Sequence, residues 1–277
     1  MPAFAAASKA CCGVVSGGHR RRVARSAQQK QPPPPQRGRR VSGEDTGGAP
    51  ERQALFNDIA GQYDLLNDVL SAGQHRVWKQ MAVRWSRAGA GGDALDVCCG
   101  SGDLALALAA AVGPSGSVTG LDFAVEQLRV ASRKQAASGA ASRTPMRWVE
   151  GDALQLPFAD GAFDAVTIGY GLRNVVDIPR CLREARRVLR PRGALVVLDF
   201  NNSDGPAAAV QKAALAGVVV PVATALGLGD QYAYLQPSIE AYPKGPELER
   251  LAKQAGFAAA THYEIAGGLM GALVADV

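Results

Sequence analysis

A chain of 277 residues, 47% hydrophobic and 20% charged, can bury one sizeable core, and its length does not by itself require a second folded domain. Its five cysteines (Cys11, Cys12, Cys98, Cys99 and Cys181) form no C-x-x-C pair, which argues against a disulfide framework or a zinc centre, so no metal site is expected. The formal net charge of +5 belongs to one end: residues 1–40 hold nine Lys or Arg and no Asp or Glu, leaving 21 basic against 25 acidic residues beyond them.

That first stretch is Arg-rich and acid-poor, ends in Pro32–Pro35 and Arg39-Arg40, and has no apolar run long enough for a secretory signal. It reads as an organelle transit peptide processed somewhere in 40–50. Its other reading is a basic tail that touches nucleic acid or lipid head groups. The organisation expected is a leader over 1–50 and a folded domain over 51–277, with no nucleic-acid partner for the latter.

Glu51 to Ser71 spaces Leu55, Ile59, Tyr63, Leu66 and Leu70 as a helix would, interrupted at Gly61. Gln74–Trp85 predicts a second helix, with Val77, Trp78, Met81 and Trp85 on one side. From residue 93 apolar runs alternate with helical patterns, the mark of a parallel sheet with helices on both faces. The strands predicted are 94–98, 117–122, 146–151, 163–170 and 194–200, with helices near 102–112, 124–138 and 177–190. Residues 213–229 carry no charge, but the run is short, rich in Ala and Gly and broken by Pro221. It predicts a buried or lid helix over a lipophilic ligand, since a membrane span needs about 20 strongly apolar residues. A helix over 246–255, a cap at Gly256 and two strands (257–265, 269–277) joined through Gly267-Gly268 complete the pattern as an antiparallel hairpin. The fold class is α/β: a seven-stranded, mostly parallel sheet with an antiparallel C-terminal hairpin and added N-terminal and lid helices.

One stretch carries the chemistry: Leu95-Asp-Val-Cys-Cys-Gly-Ser-Gly-Asp-Leu104, an apolar strand that stops at glycines just before a helix. Gly100 and Gly102 let the backbone turn and approach a ligand that a Cβ would fend off. The helix N-terminus that follows favours an anionic group. Gly100-Ser-Gly102-Asp-Leu-Ala105 also fits the dinucleotide pattern, with Asp122 where a ribose-binding acid belongs. Asp96, inside the strand, favours S-adenosylmethionine (SAM), whose sites use an acid there to organise the glycine turn and the methionine end. Asp122 closes the second strand within reach of ribose hydroxyls, and Asp152 closes the third within reach of an adenine amino group. No Tyr followed four residues later by Lys is present, as a short-chain reductase would need, and no P-loop. Adjacent Cys98 and Cys99 read as packing residues.

Further blocks carry a resemblance: Phe56-Asn-Asp-Ile-Ala-Gly-Gln-Tyr-Asp-Leu-Leu-Asn-Asp-Val-Leu-Ser71, Gly73-Gln-His-Arg-Val-Trp-Lys79, Leu156-Pro-Phe158, Gly169-Tyr-Gly-Leu-Arg-Asn-Val175, Arg187-Val-Leu-Arg-Pro-Arg-Gly193 and Tyr234-Leu-Gln-Pro-Ser-Ile239. Over about 55–277 the chain resembles the ubiquinone/menaquinone biosynthesis C-methyltransferases. Cys98-Cys-Gly-Ser-Gly102 and Gly169–Asp177 are similar to the plant chloroplast branch, which acts on demethylphylloquinone (2-phytyl-1,4-naphthoquinone). The resemblance implies a class I SAM-dependent methyltransferase (Rossmann-like) fold and methyl transfer from SAM to a ring carbon of a prenylated quinol, in vitamin K1 synthesis within the chloroplast. The alternative is a benzoquinol in the mitochondrion, or a SAM-binding scaffold without turnover.

By the same resemblance, Ser101 stands where a threonine contacts SAM, Asp122 with Phe123 beside it matches the ribose site, and Asp152 with Ala153 matches the adenine pair. Gly169 replaces a serine of many bacterial members, and Arg192 interrupts a Pro-Gly-Gly, read as an exposed turn. The candidates for handling the quinol hydroxyl are Tyr63, His75 and Arg173. Arg173 with Asn174 is preferred, its charge acting on the phenolate directly or through a water; the competing role for Arg173 is a salt bridge that holds its loop, and for His75 a helix cap. A lipophilic tail needs an apolar channel, for which Leu66, Trp78, Trp85 and the 207–228 helix are candidates, along with peripheral membrane contact.

Overall fold

Asp93–Val97 shows how the alternation becomes a three-layer structure: Ala94 packs to one face of the sheet while Leu95 and Val97 pack to the other. A strand covered on both faces reads as a continuous apolar run. The computed structural model describes residues 71, 73–139, 143–225 and 235–277. The leader and the first predicted helix, with Tyr63 and Leu66, lie outside the described residues, as does Tyr234.

The strands are β1 (Asp93–Val97), β2 (Ser117–Asp122), β3 (Met146–Glu150), β4 (Phe163–Gly169), β5 (Leu189–Phe200), β6 (Ala259–Ile265) and β7 (Met270–Asp276). They form one sheet in the order β3-β2-β1-β4-β5-β7-β6. The first five run parallel, and β7 is antiparallel to both β5 and β6. β1 therefore sits between β2 and β4, where the strand order reverses, and ligands of open α/β sheets bind beyond the carboxyl ends of such strands.

Helices α1 (Gln74–Trp85) and α2 (Asp103–Val112) cover one face, where Leu104, Leu108 and Val112 meet Val118, Val196 and Leu198. α3 (Val125–Ala137) lies against β2 and β3. On the other face α4 (Ile178–Val188) and α8 (Gly245–Gln254) bring Leu182, Val188, Leu248 and Ala252 onto Val166, Leu195 and Leu273. Each fully buried leucine contributes about 1.5–3 kcal/mol. α4 is closed at its N-terminus by Asp177, whose Oδ1 accepts from the Arg180 amide at 2.9 Å.

Three expectations change. β5 begins at Leu189, five residues early, because the register jumps from Phe163↔Leu189 to Ala165↔Ala194. Arg190–Gly193 is thus a bulge in a strand, with Arg192 exposed at φ 70° and Arg190 paired to Asp93 and Asp164. The buried face of α1 is His75, Ala82 and Val83, while Val77 is 60% exposed. Trp78 and Trp85 are half-buried against the core, and Trp85 stacks on Tyr263.

The third change concerns the uncharged helix. α5 (Gly205–Ala214) and α6 (Val220–Ala225) flank a π-helical turn at Leu215–Val219. Pro221 has no N–H for the Gly217 carbonyl, and the ladder widens just before it. Only Gln211 and Leu215 are buried along its described side chains, so of the two expected roles, buried helix or lid, these side chains fit the lid. No helix among the described residues is long and apolar enough to cross a membrane. The segment Leu235–Glu240 (α7) follows, and the Ala266–Gly268 turn closes the predicted hairpin with Gly267 at φ 68°.

Candidate active site

At the end of β1 the chain enters the left-handed region at Cys98 (φ 55°), Gly100 (φ 51°) and Gly102 (φ 86°). Gly102 also faces a packing limit, since a Cβ there would lie 2.7 Å from the Trp148 ring and 2.8 Å from the Ala131 methyl group. The turn is tied to the next strand by Asp122. Its Oδ2 accepts from the Gly100 amide at 2.8 Å and its Oδ1 from the Ala124 amide at 2.9 Å. Burial pushes the Asp122 carboxyl up, against the pull of these amides. α2 then starts at Asp103 without a side-chain cap, so its first amides face the turn.

Asp96 lies under the turn, 1% exposed. Its Oδ1 accepts from the Thr167 hydroxyl at 2.7 Å, and the Ala105 amide at the start of α2 also acts on this carboxyl. Burial drives its pKa to about 7, with the Thr167 hydroxyl and the Lys79 charge pulling the other way. Asp103 ends at the opposite extreme: burial raises it, but Lys79 and Lys134 outweigh burial and hold it at about 2. Both lysines touch it, Lys79 at 2.9 Å and Lys134 at 2.6 Å, and Lys134 also donates to Ser101 Oγ at 2.9 Å. At the end of β3, Asp152 Oδ1 accepts from the Leu154 amide at 2.9 Å, and Ala153 is buried beside it.

Across β1, β4 is followed by a second non-glycine residue in the left-handed region, Tyr170 at φ 59°, whose amide donates to the Leu198 carbonyl at 2.7 Å. The loop that follows is held from inside. Arg173 Nη1 donates to the Tyr170 carbonyl and to Asp199 Oδ1, each at 2.7 Å, and its guanidinium lies 5.2 Å from the centre of the Phe200 ring. The pair is almost dry, with side-chain exposures of 7% and 2%. Asn174 Nδ2 donates to the same Tyr170 carbonyl at 3.2 Å.

These pieces surround a cavity of about 330 Å³, within the usual range for a small-molecule site. Asp96, Gly100, Ser101, Asp122, Phe123, Asp152, Ala153, Gly169 and Asn174 line it. Gly102 supports the turn behind the lining, and Arg173 sits one step back with its charge on Asp199. His75 is 5% exposed and off the cavity wall; its Nδ1 lies 2.7 Å from Ser71 Oγ, which also accepts its amide at 3.3 Å. Neither tryptophan of α1 lines this cavity.

The sequence reading missed Lys79 and Asp103 on the wall and Asp199 behind it. Asp199 carried a signal, an acid inside an apolar strand, the same feature that singled out Asp96. Cys98 and Cys99 also line the cavity, and burial together with the neighbouring aspartates pushes both thiols well up, so they stay protonated. Beside Gly169, a Cβ would come within 3.1 Å of Leu104, so a serine there needs that leucine to give way.

The cavity suits an adenosyl amino acid. A buried carboxylate, Asp96, lies under a glycine turn and a helix start, and two strand-end aspartates, Asp122 and Asp152, complete its polar lining. Residues 46–275 match the ubiE/COQ5 methyltransferase family. The chain belongs to that family. This methyltransferase is SAM-dependent, and its seven-stranded sheet is the class I arrangement. It is 54% identical over 226 residues to the chloroplastic 2-phytyl-1,4-beta-naphthoquinone methyltransferase of Arabidopsis thaliana, covering 81% of this chain and 87% of that one. It is 53% identical over 225 residues to the 2-phytyl-1,4-naphtoquinone methyltransferase of Nostoc punctiforme, covering 81% and 97%. Among solved structures it resembles a SAM-dependent methyltransferase from Aquifex aeolicus, with 16% identity and a TM-score of 0.57 over 77% of this chain and 97% of that one. A second such enzyme, putative, from Methanococcus maripaludis gives 16% and 0.56 over 80% and 93%. At such identities the likeness to these structures concerns the fold.

Proposed function

We propose that the methyltransferase adds a methyl group to the ring of a prenylated naphthoquinol, demethylphylloquinol, yielding phylloquinol in the plastid. The observation that carries this reading is the 54% identity, over most of both chains, to a chloroplastic enzyme named for that substrate. The leader over 1–50 is then a transit peptide and 51–277 the enzyme.

SAM supplies an electrophilic methyl group on a sulfonium. The quinol, once its hydroxyl has given its proton to solvent, pushes electron density onto the adjacent ring carbon, which takes the methyl as the carbon–sulfur bond breaks and S-adenosylhomocysteine leaves; the ring proton then passes to solvent and aromaticity is restored. The protein's share is orientation, charge placement and exclusion of water. Asp122 with Phe123 takes the ribose, Asp152 with Ala153 the adenine, and Asp96, Gly100, Ser101 and Gly102 the methionine end. Asn174, on the wall beyond Gly169, offers its amide to the quinol oxygen. Arg173 is a positioning residue: through Asp199 and the Tyr170 carbonyl it fixes the loop that presents Asn174. His75 is assigned to structure, in keeping with its contact to Ser71.

The phytyl tail leaves past Val176, which lines the cavity and is 59% exposed. Such a mouth fits collection of substrate from a membrane surface without crossing it. The test is an assay of the chain with SAM against reduced demethyl-naphthoquinol and its benzoquinol analogue. Preference for the naphthoquinol supports the reading, preference for the benzoquinol moves it to ubiquinone synthesis, and activity on neither ends it. Flotation with liposomes checks the membrane contact, and import of a leader fusion into chloroplasts checks the location.

A further inference from the structure

The charge around the cavity is lopsided. Its wall carries four carboxylates (Asp96, Asp103, Asp122, Asp152), and among the described residues its one cation is Lys79. Lys79 projects from α1 onto the start of α2 and is only 13% exposed, so it is held in place by packing and by its 2.9 Å contact with Asp103. An amino-acid ligand needs both signs here, an anion partner for its ammonium and a cation for its carboxylate.

We infer that Lys79 is the carboxylate-binding residue for the methionine half of SAM, held by Asp103 until the ligand's carboxylate takes its place. Three features support the exchange. Lys79 reaches Asp103, the first residue of α2, so its charge and the helix start act on one anion. Asp96, buried on the cavity wall, provides the opposite sign for the ligand's ammonium. Asp103 is not stranded when Lys79 shifts, because its other oxygen keeps Lys134 at 2.6 Å. Lys134 itself does not line the cavity and is already shared between Asp103 and Ser101. The assignment rests on the SAM reading of the site and adds to it the residue that reads the amino-acid half.

The test is calorimetry on the full chain with three ligands: S-adenosylhomocysteine, decarboxylated SAM, which keeps the amine but lacks the carboxylate, and 5′-methylthioadenosine, which lacks the amino-acid half. Lys79→Met should weaken S-adenosylhomocysteine about 10- to 100-fold, the worth of a hydrogen bond between charged groups. It should leave the other two ligands within about 3-fold, and their binding also shows that the variant is folded. Lys79→Arg should restore most of the loss. Equal losses for all three ligands, or none for S-adenosylhomocysteine, would overturn the assignment. Failure of the unsubstituted protein to bind any of the three would overturn the SAM reading and this inference together.

Discussion

The two halves of the site are built differently. The donor half is a row of strand ends, β1, β2 and β3, whose acids hold backbone amides of the turns: Asp122 holds Ala124 two residues on and Gly100 across the sheet, and Asp152 holds Leu154. The acceptor half is a loop fixed from a distance, with Arg173 reaching Asp199 of β5 and Asn174 reaching back to Tyr170. Farther out, Gln211 of α5 donates to the Asn201 and Leu269 carbonyls. Glycine turns and strand-end acids recur at fixed offsets and are therefore written in a motif, whereas the buried ion pair that fixes the acceptor loop appears only once the chain has folded.

The largest effect expected from this contrast is at Arg173. Arg173→Ala leaves the Asp199 charge buried without its partner and should cost about 3–5 kcal/mol of stability. Turnover should fall about 100-fold while SAM affinity stays within about 3-fold. Combining Arg173→Met with Asp199→Asn should return most of the melting temperature but not the turnover. If the single variant keeps full turnover, the loop does not need this pair. On the donor side, Asp122→Ala removes the acceptor for two backbone amides as well as the ribose contact. SAM affinity measured by calorimetry should drop about 100-fold, and a drop below 5-fold would remove Asp122 from the ribose site.

How far the sequence could be read follows the same division. Gly100, Gly102, Asp122 and Asp152 were legible because a turn, a helix start and a strand end each demand particular residues at fixed offsets. The sheet was legible for the same reason, apart from the start of β5, where a bulge placed a strand inside Arg-Pro-Arg-Gly. The acid inside β5 marked Asp199 itself, but its pairing with Arg173 was not legible, because 26 residues separate the two and no local pattern links them. The face of α1 was misjudged at Val77, which is exposed, because the apolar count does not show that the helix buries the polar His75 with Ala82 and Val83 beside its half-buried tryptophans.

A smaller, pH-dependent effect is expected at Asp96, whose pKa is raised to about 7 from 3.8 by burial. Because the folded state holds this proton more tightly, Asp96 stabilises the free protein fully below about pH 4, and the contribution is lost as pH rises through 7. Against Asp96→Asn, the unsubstituted free protein should therefore lose stability across that window, by a few kcal/mol at most, and remain level above it. SAM affinity should move the opposite way, rising with pH up to about 7 as the carboxylate forms, and should be flat in Asp96→Asn. A pH-independent difference in both quantities would show that the carboxyl does not titrate there. The smallest effect belongs to His75. His75→Gln should leave turnover within about 3-fold, and a loss of 100-fold or more would return His75 to the list of bases.

The central claim is that the protein methylates a naphthoquinol ring with SAM as donor. Incubating the chain with SAM carrying a labelled methyl group and reduced demethylphylloquinone tests it most directly, with the product analysed by mass spectrometry. The account predicts label on a ring carbon of phylloquinol, in preference to the benzoquinol analogue. Label on a quinol oxygen, or none in either quinol, would contradict it.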